Sequence, residues 1–334
     1  MSTTNVTPGD RRVALLFPGQ GAQHPRMAAG LHGWVPAFTM VMEEAFALLG
    51  EQGEDLRAEW LAADPSDLFD DVTRSQPLLY AVGYALGRAV LELGVEPVAL
   101  LGHSVGEMVA ATLADVLSFA DGIRLMRDRV AQYADTPPGG MLAVAASADE
   151  VAPFLTGCAT GDPVIAAVNA PQQTLVAGGR SELAELTRKL RAHGHTCMAA
   201  RARQAFHSPL VADAAERSLN AWQAVPLCAP TRRVYSVHAR SPLGPDLATD
   251  PRFWAMQPTA TVHFWPMLDR LLAEEDVLLV EAGPGQGLTT LARRHPAVRS
   301  GRSAVLPLLP ARPDGAEADR AHWHAAVAGL TAEL

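Results

Sequence analysis

A serine set between two glycines, directly after a short apolar run and directly before a helical pattern, restricts this chain to few architectures. The stretch is EPVALLGHSVGEMVA, residues 96–110. Its apolar run shows no polar alternation, so it reads as a buried strand. Strand, glycine-flanked serine and helix together form a sharp elbow. Gly102 and Gly106 permit the bend, and Ser104 stays accessible at the start of the helix. A serine hydroxyl is a weak nucleophile at neutral pH and needs a base within hydrogen-bond reach. The chain offers 11 histidines for that task.

The remaining sequence alternates strand and helix patterns. VALLFPGQGAQ (13–23) reads as a buried strand opening into a Pro/Gly loop whose amides can approach a ligand. Residues 76–93 carry apolar side chains at helical spacing and stop at Gly94. A further helix is expected from Ser118 to Ala134, capped by Ser118, with Ile123, Met126, Val130 and Tyr133 as its apolar stripe. TPPGGM (136–141) then marks a boundary. After it come MLAVAA, ADEVAPFL, PVIAAVNA, QTLVAGG, SELAELTRKLRAHG and HTCMAAR, read as strand, helix, strand, strand, helix, strand. That is the order of a ferredoxin-like unit. Beyond His207 the alternation resumes, with RRVYSV and DVLLVEAG as strands and PMLDRLLAEE as a helix, so the small unit reads as an insertion. The expected division is 1–136 with 208–334 for the large unit and 137–207 for the small one. Residues 310–319 read as a surface loop.

Composition narrows the function. At 334 residues, 49% hydrophobic and 19% charged, the chain has the balance of a globular enzyme with a sizeable core. A net charge of -9 argues against a nucleic-acid binder, which needs a basic field to replace counterions. No apolar run approaches the roughly 20 residues that span a bilayer, and the first residues lack a signal peptide's apolar stretch, so the expectation is a cytoplasmic protein without membrane attachment. Cys158, Cys197 and Cys228 are far apart and odd in number, so neither a disulfide framework nor a zinc site is expected.

GHSVGE, FPGQGAQ, QPLLYAVGYAL, Asn169-Ala170-Pro171, AFHSPL (205–210) and EAGPGQGLT (281–289) occur in the order and spacing of the malonyl-CoA:acyl carrier protein transacylase family, which this chain resembles. That family includes the acyltransferase domains of polyketide synthases. The resemblance runs from about Val13 to about Leu291. It implies an α/β fold, with an α/β-hydrolase-like large subdomain and an inserted ferredoxin-like small one. It also implies acyl transfer from a coenzyme A thioester, as substrate, to the phosphopantetheine thiol of an acyl carrier protein, with no cofactor and no metal. Ser104 matches the acyl-accepting serine and His207 its base. The amides of Gln20 and Val105 match the oxyanion hole, and Gln257 matches the residue whose backbone carbonyl orients the histidine. Pro258-Thr259-Ala260-Thr261 departs from the family's usual stretch there.

The family holds the substrate carboxylate with an arginine, and two positions compete for that role. Arg129 lies 25 residues after Ser104, the expected spacing, whereas Arg127 sits in an MRDR string like the family's own. The apolar stripe lies about 80° from each, so helical geometry does not choose between them. Arg129 is the preferred reading. Phe206 before the histidine and Val105 after the serine resemble the residues of malonyl-selective domains. Glu107 is read as a first-turn carboxylate favoured by the helix dipole, His103 as packing beside the serine, and Gln76 as support. For carrier docking the basic candidates are Arg201 with Arg203, or Arg293, Arg294 and Arg299. Discrete length and the polyketide-like AFHSP favour a trans-acting polyketide enzyme. The alternatives are a hydrolase that edits acyl carrier proteins or a transferase of larger chains with the same dyad. A noncatalytic carrier-binding module is a rival of another class.

Overall fold

The computed structural model describes residues 12–66, 69–133, 135–155, 157, 159–200 and 202–333. Ala134, Cys158 and Arg201, each named above, lie outside them. Among the described residues ten strands form two sheets: β1 (Arg12–Phe17), β2 (Ala99–Gly102), β3 (Gly139–Val144), β4 (Val164–Ala170), β5 (Gln173–Gly179), β6 (Cys197–Ala199), β7 (Val234–Ser236), β8 (Ser241–Pro242), β9 (Val277–Glu281) and β10 (Ala304–Pro307).

The larger sheet has the order β10-β9-β1-β2-β7-β8 and is parallel except for β8. Its central strands are buried on both faces, as parallel sheets between helices must be. Alternation along them sends Val13, Leu15, Phe17 and Leu100 into one core and Ala14, Leu16, Ala99 and Leu101 into another. Leu15 is in register with Leu100 and Val280, so β1 lies between the strand that ends in the serine elbow and the one that ends in Glu281.

The smaller sheet is antiparallel with the order β4-β5-β3-β6, the ferredoxin-like arrangement expected. Leu142, Val144 and Val176 pack on one of its faces against Leu183, Leu186 and Leu190 of the helix Arg180–Ala192. A short stitch joins the small sheet to the segment before the helix Phe264–Glu274, because Val262 donates to Ala166 and accepts from Val168 of β4, both at 2.9 Å.

Several elements differ from expectation for local reasons. Pro153 turns the end of the ADEVAPFL helix into a short 3-10 segment. The helix expected from residue 76 begins earlier, at Val72, where Asp71 caps it by accepting from the Thr73 amide. Residues 310–319 are not all surface loop. The helix Gly315–Glu333 starts within them, and Asp319 is buried where it accepts from the Gly30 amide at 2.9 Å. Among the described residues no helix is long and apolar enough to cross a membrane.

Candidate active site

The elbow is set by steric exclusion. Ser104 has φ 54° and ψ −117°, a region that costs a non-glycine residue about 1–3 kcal/mol and persists only where its surroundings impose it. Here they do. A Cβ on Gly102 would collide with the Gly106 backbone, and one on Gly106 would collide with the Phe17 carbonyl. One on Gly19, in the loop after β1, would lie 2.5 Å from the His103 carbonyl. The His103 amide donates to that same Phe17 carbonyl at 2.8 Å, tying the elbow to the end of β1.

His207 meets the serine from the loop after the small unit. Its Nε2 lies 2.7 Å from Ser104 Oγ and its Nδ1 lies 2.8 Å from the Ala260 carbonyl. A carbonyl cannot donate, so Nδ1 carries the ring proton and Nε2 holds the lone pair that accepts from Ser104. Burial, and next the neighbouring His238, hold the His207 pKa well below the ordinary 6.5. The ring is therefore neutral at neutral pH and ready to take a proton.

The orienting carbonyl corrects the expectation for Gln257. Residues Gln257–Thr259 form a 3-10 turn, and the Gln257 carbonyl is engaged by the Ala260 amide at 3.2 Å. Ala260 then turns to extended backbone and supplies the carbonyl to His207. Gln257 serves the site through its side chain instead. Its Nε2 donates to the Ser104 carbonyl at 3.1 Å and to Glu107 at 3.3 Å, while its Oε1 accepts from Arg129 at 3.3 Å.

Of the two arginines, Arg129 is the one brought to this cluster. It is 5% exposed, burial pulls its pKa down, and Gln257 is its sole hydrogen-bond partner among the described residues. Arg127 is exposed and lines a separate groove with Leu49, Leu56 and Pro77. The buried face of the helix Phe119–Tyr133 runs through Gly122, Met126, Arg129 and Tyr133, and Val130 is only half-buried. That small rotation from the expected stripe selects between the two side chains.

Val105 opens the helix Val105–Leu113, so its amide lacks an intrahelical acceptor, and Gln20 sits in the loop facing it. Gln20, Ser104, Phe206 and His207 line a small, partly open space of about 80 Å³. Val105 does not. Its side chain, 1% exposed, belongs to the core cluster that includes Phe17 and Met108, so the structure corrects its expected place in the specificity pocket. Phe206 stacks on Tyr133 with ring centres 5.2 Å apart. Gln76 donates to Gln20 Oε1 at 3.2 Å. A wider cleft of about 680 Å³ leads from Gln20, His103 and Asn169 outward to Arg294 and Arg312.

Two features escaped the sequence. His103, neutral because burial lowers its pKa, lies 2.8 Å from Asn169 of β4, a bond across the two sheets. Glu107 is fully buried and pairs with His238, whose ring stacks on His207 with centres 5.6 Å apart. The signal for Glu107 was available: every residue of the helix Val105–Leu113 is buried, and a buried carboxylate requires a partner. His238 had none, being a lone histidine in SVHAR. Of the basic candidates, Arg203 is exposed and 3.7 Å from Asp71, and Arg293, Arg294 and Arg299 are exposed.

Known proteins carry the same architecture. The family model described as "Acyl transferase domain" matches residues 14–331. A phenolphthiocerol/phthiocerol polyketide synthase from Mycobacterium tuberculosis is 35% identical over 293 residues, covering 87% of this chain and 19% of that protein. This chain thus spans about a fifth of that relative. The acyltransferase domain from the second module of the salinomycin polyketide synthase is 31% identical with a TM-score of 0.87, covering 97% of this chain and 74% of that one. FabD from Acinetobacter baumannii, 24% identical, shares the fold with a TM-score of 0.84 over 97% of this chain and 100% of its own. Since the match runs from the first strand into the last helix, through both sheets and the elbow between them, the chain belongs to the acyl transferase domain family.

Proposed function

We propose that this acyltransferase moves a malonyl group from coenzyme A, through an ester on Ser104, to the phosphopantetheine thiol of an acyl carrier protein in polyketide assembly. The carrying observation is Arg129, a buried guanidinium beside the serine elbow with a neutral amide as its sole hydrogen-bond partner among the described residues. A buried cation calls for a counterion, and a substrate carboxylate supplies one in the bidentate geometry that arginine favours. The narrow space at the serine, about 80 Å³ where Ser104 and His207 meet Phe206, suits a short acyl group.

The steps follow from the geometry. His207 Nε2 takes the proton of Ser104 as Oγ attacks the thioester carbonyl. The amides of Gln20 and Val105 receive the oxyanion. Collapse of the tetrahedral intermediate expels the coenzyme A thiolate, which takes the proton back from His207. The phosphopantetheine thiol then enters along the cleft past Asn169, His207 removes its proton as the sulfur attacks the ester, and Ser104 Oγ leaves by taking that proton back from His207. Arg294 and Arg312 at the outer end of the cleft suit the phosphates of either thiol's carrier.

Intact-mass spectrometry after mixing with malonyl-, methylmalonyl- or acetyl-CoA tests this reading. The expected result is a malonyl adduct that disappears in Ser104→Ala and Arg129→Ala, persists in Arg127→Ala, and is discharged by a separately produced holo carrier. A stable acetyl adduct in preference to malonyl would overturn the substrate assignment.

A further inference from the structure

The small sheet has two unlike faces. Its own helices cover Leu142, Val144 and Val176. Alternation along the strands places Met141 and Leu175 on the other face, as near neighbours on paired strands, because Met141 is in register with Ala177 and Leu175 with Ala143. That face lies on the large unit. Met141 packs against the cluster of Phe206 and Tyr133, and Leu175 against the cluster that holds Ala167 and Phe264. Both also line the small, partly open space of about 80 Å³ beside Ser104 and His207. Two alanines, Ala200 and Ala202, complete that wall, so the longest side chains facing the serine from the strands of the small sheet are Met141 and Leu175.

We propose that Met141 and Leu175, on the helix-free face of the small sheet, set the upper size limit of the acyl group accepted on Ser104. The proposal rests on the reading of Ser104 as the acyl-accepting serine. It does not rest on Arg129. Phe206 bounds the same space from a loop, whereas these two side chains are fixed by the β3–β5 ladder, which makes the ceiling rigid where it meets the acyl carbon chain. Met141 is the more adjustable of the pair, being unbranched with three rotatable bonds. Leu175 is the stiffer stop.

The test is a competition for acyl-enzyme formation between malonyl-, methylmalonyl- and ethylmalonyl-CoA, with acetyl-, butyryl- and hexanoyl-CoA run in parallel. One methylene in a tight pocket discriminates by roughly 10–200-fold, so Met141→Ala and Leu175→Ala should each raise the ratio of kcat/KM for the bulkier against the smaller substrate by about tenfold. Met141→Leu, similar in volume, should retain the wild-type ratio. Leu142→Ala, on the helix-covered face of the same strand, controls for loosening of the sheet and should leave the ratio where it was. The proposal is overturned if Met141→Ala and Leu175→Ala, shown to be folded by thermal melts, keep the wild-type ratio, or if Leu142→Ala moves it equally. Preference for the uncharged series in the wild type would remove the Arg129 reading and leave the size test intact, while labelling that survives Ser104→Ala would remove the acyl-serine reading itself.

Discussion

Ser104 and His207 both sit on left-handed backbone, with φ of 54° and 62°, but different things hold them there. The serine is held by its neighbours. Gly102 and Gly106 within two residues, and Gly19 with Phe17 at the end of the adjoining strand, leave the chain one path. The histidine is held by remote segments: its amide donates to the Pro258 carbonyl at 2.6 Å, its ring to the Ala260 carbonyl 53 residues away, and that segment is stitched to β4. One half of the hydrogen-bonded Ser104–His207 pair is written locally, and the other is assembled by the fold.

The largest test of this contrast removes the His207 ring, the proposed base, without disturbing its backbone. His207→Asn places a residue that tolerates positive φ at the same position. Acyl-enzyme formation should fall by about 10⁴-fold or more, while the melting temperature falls only modestly, because the His207 amide still holds the loop to Pro258 when the ring's bond to Ala260 is lost. Gly106→Ala reverses that pattern. A methyl group driven into the Phe17 carbonyl forces the elbow away from β1, and denaturant unfolding should show a loss of about 1–3 kcal/mol together with loss of activity.

Gln257→Leu probes the link between the two halves. It leaves the Glu107 carboxylate with His238 alone and frees both the Ser104 carbonyl and Arg129. Losing buried partners should cost about 1–3 kcal/mol of stability, and kcat/KM for malonyl-CoA should fall by about tenfold.

This contrast also explains what the sequence disclosed. The elbow was legible because glycines flank the serine, and the two-sheet plan because strand and helix periods differ along the chain. The Glu107–His238 pair was not, since its members lie 131 residues apart and only Glu107, a carboxylate within a wholly buried helix, carries a local signal. The choice between Arg127 and Arg129 depended on a rotation of one helix by a fraction of a turn, which only the packing of Met126 and Tyr133 fixes. The orienting carbonyl was the least legible of all, because every residue has one. The family resemblance pointed to Gln257, but the 3-10 turn uses that carbonyl internally, and the carbonyl that reaches His207 is that of Ala260.

The pH dependence separates the halves more gently. Ser104 carries no titration in the working range, whereas burial and then His238 oppose protonation of His207, with His103 and Arg129 adding to them and the Ala260 carbonyl opposing them. The acid limb of acyl-enzyme formation should therefore fall below pH 6.5, the ordinary histidine value. Stability follows with a definite sign. Below pH 6.5 the unfolded chain binds protons at His207 and His103 that the folded chain refuses, so the free energy of unfolding should decline as pH drops through that range. Urea midpoints across that range measure it, and His207→Asn should flatten part of the slope.

The smallest expected effect is the sharpest test of a main-chain orienter. If the carbonyl at 260 fixes the ring, the side chain there is immaterial, and Ala260→Ser should leave acyl-enzyme formation and its pH profile at wild-type values. Ala260 has φ −95° and ψ 145°, ordinary extended backbone that serine adopts without strain, and the residue is half-buried with room for a hydroxyl toward solvent. Ala260→Pro retains the carbonyl but removes the amide that holds the Gln257 carbonyl, so it loosens the 3-10 turn while keeping the atom that faces His207. The serine variant should be silent, and the proline variant should slow acylation by letting the carbonyl drift from the 2.8 Å contact with Nδ1. Should serine prove as harmful as proline, the ring would be held by side-chain packing around residue 260, and the orienting role would leave the backbone.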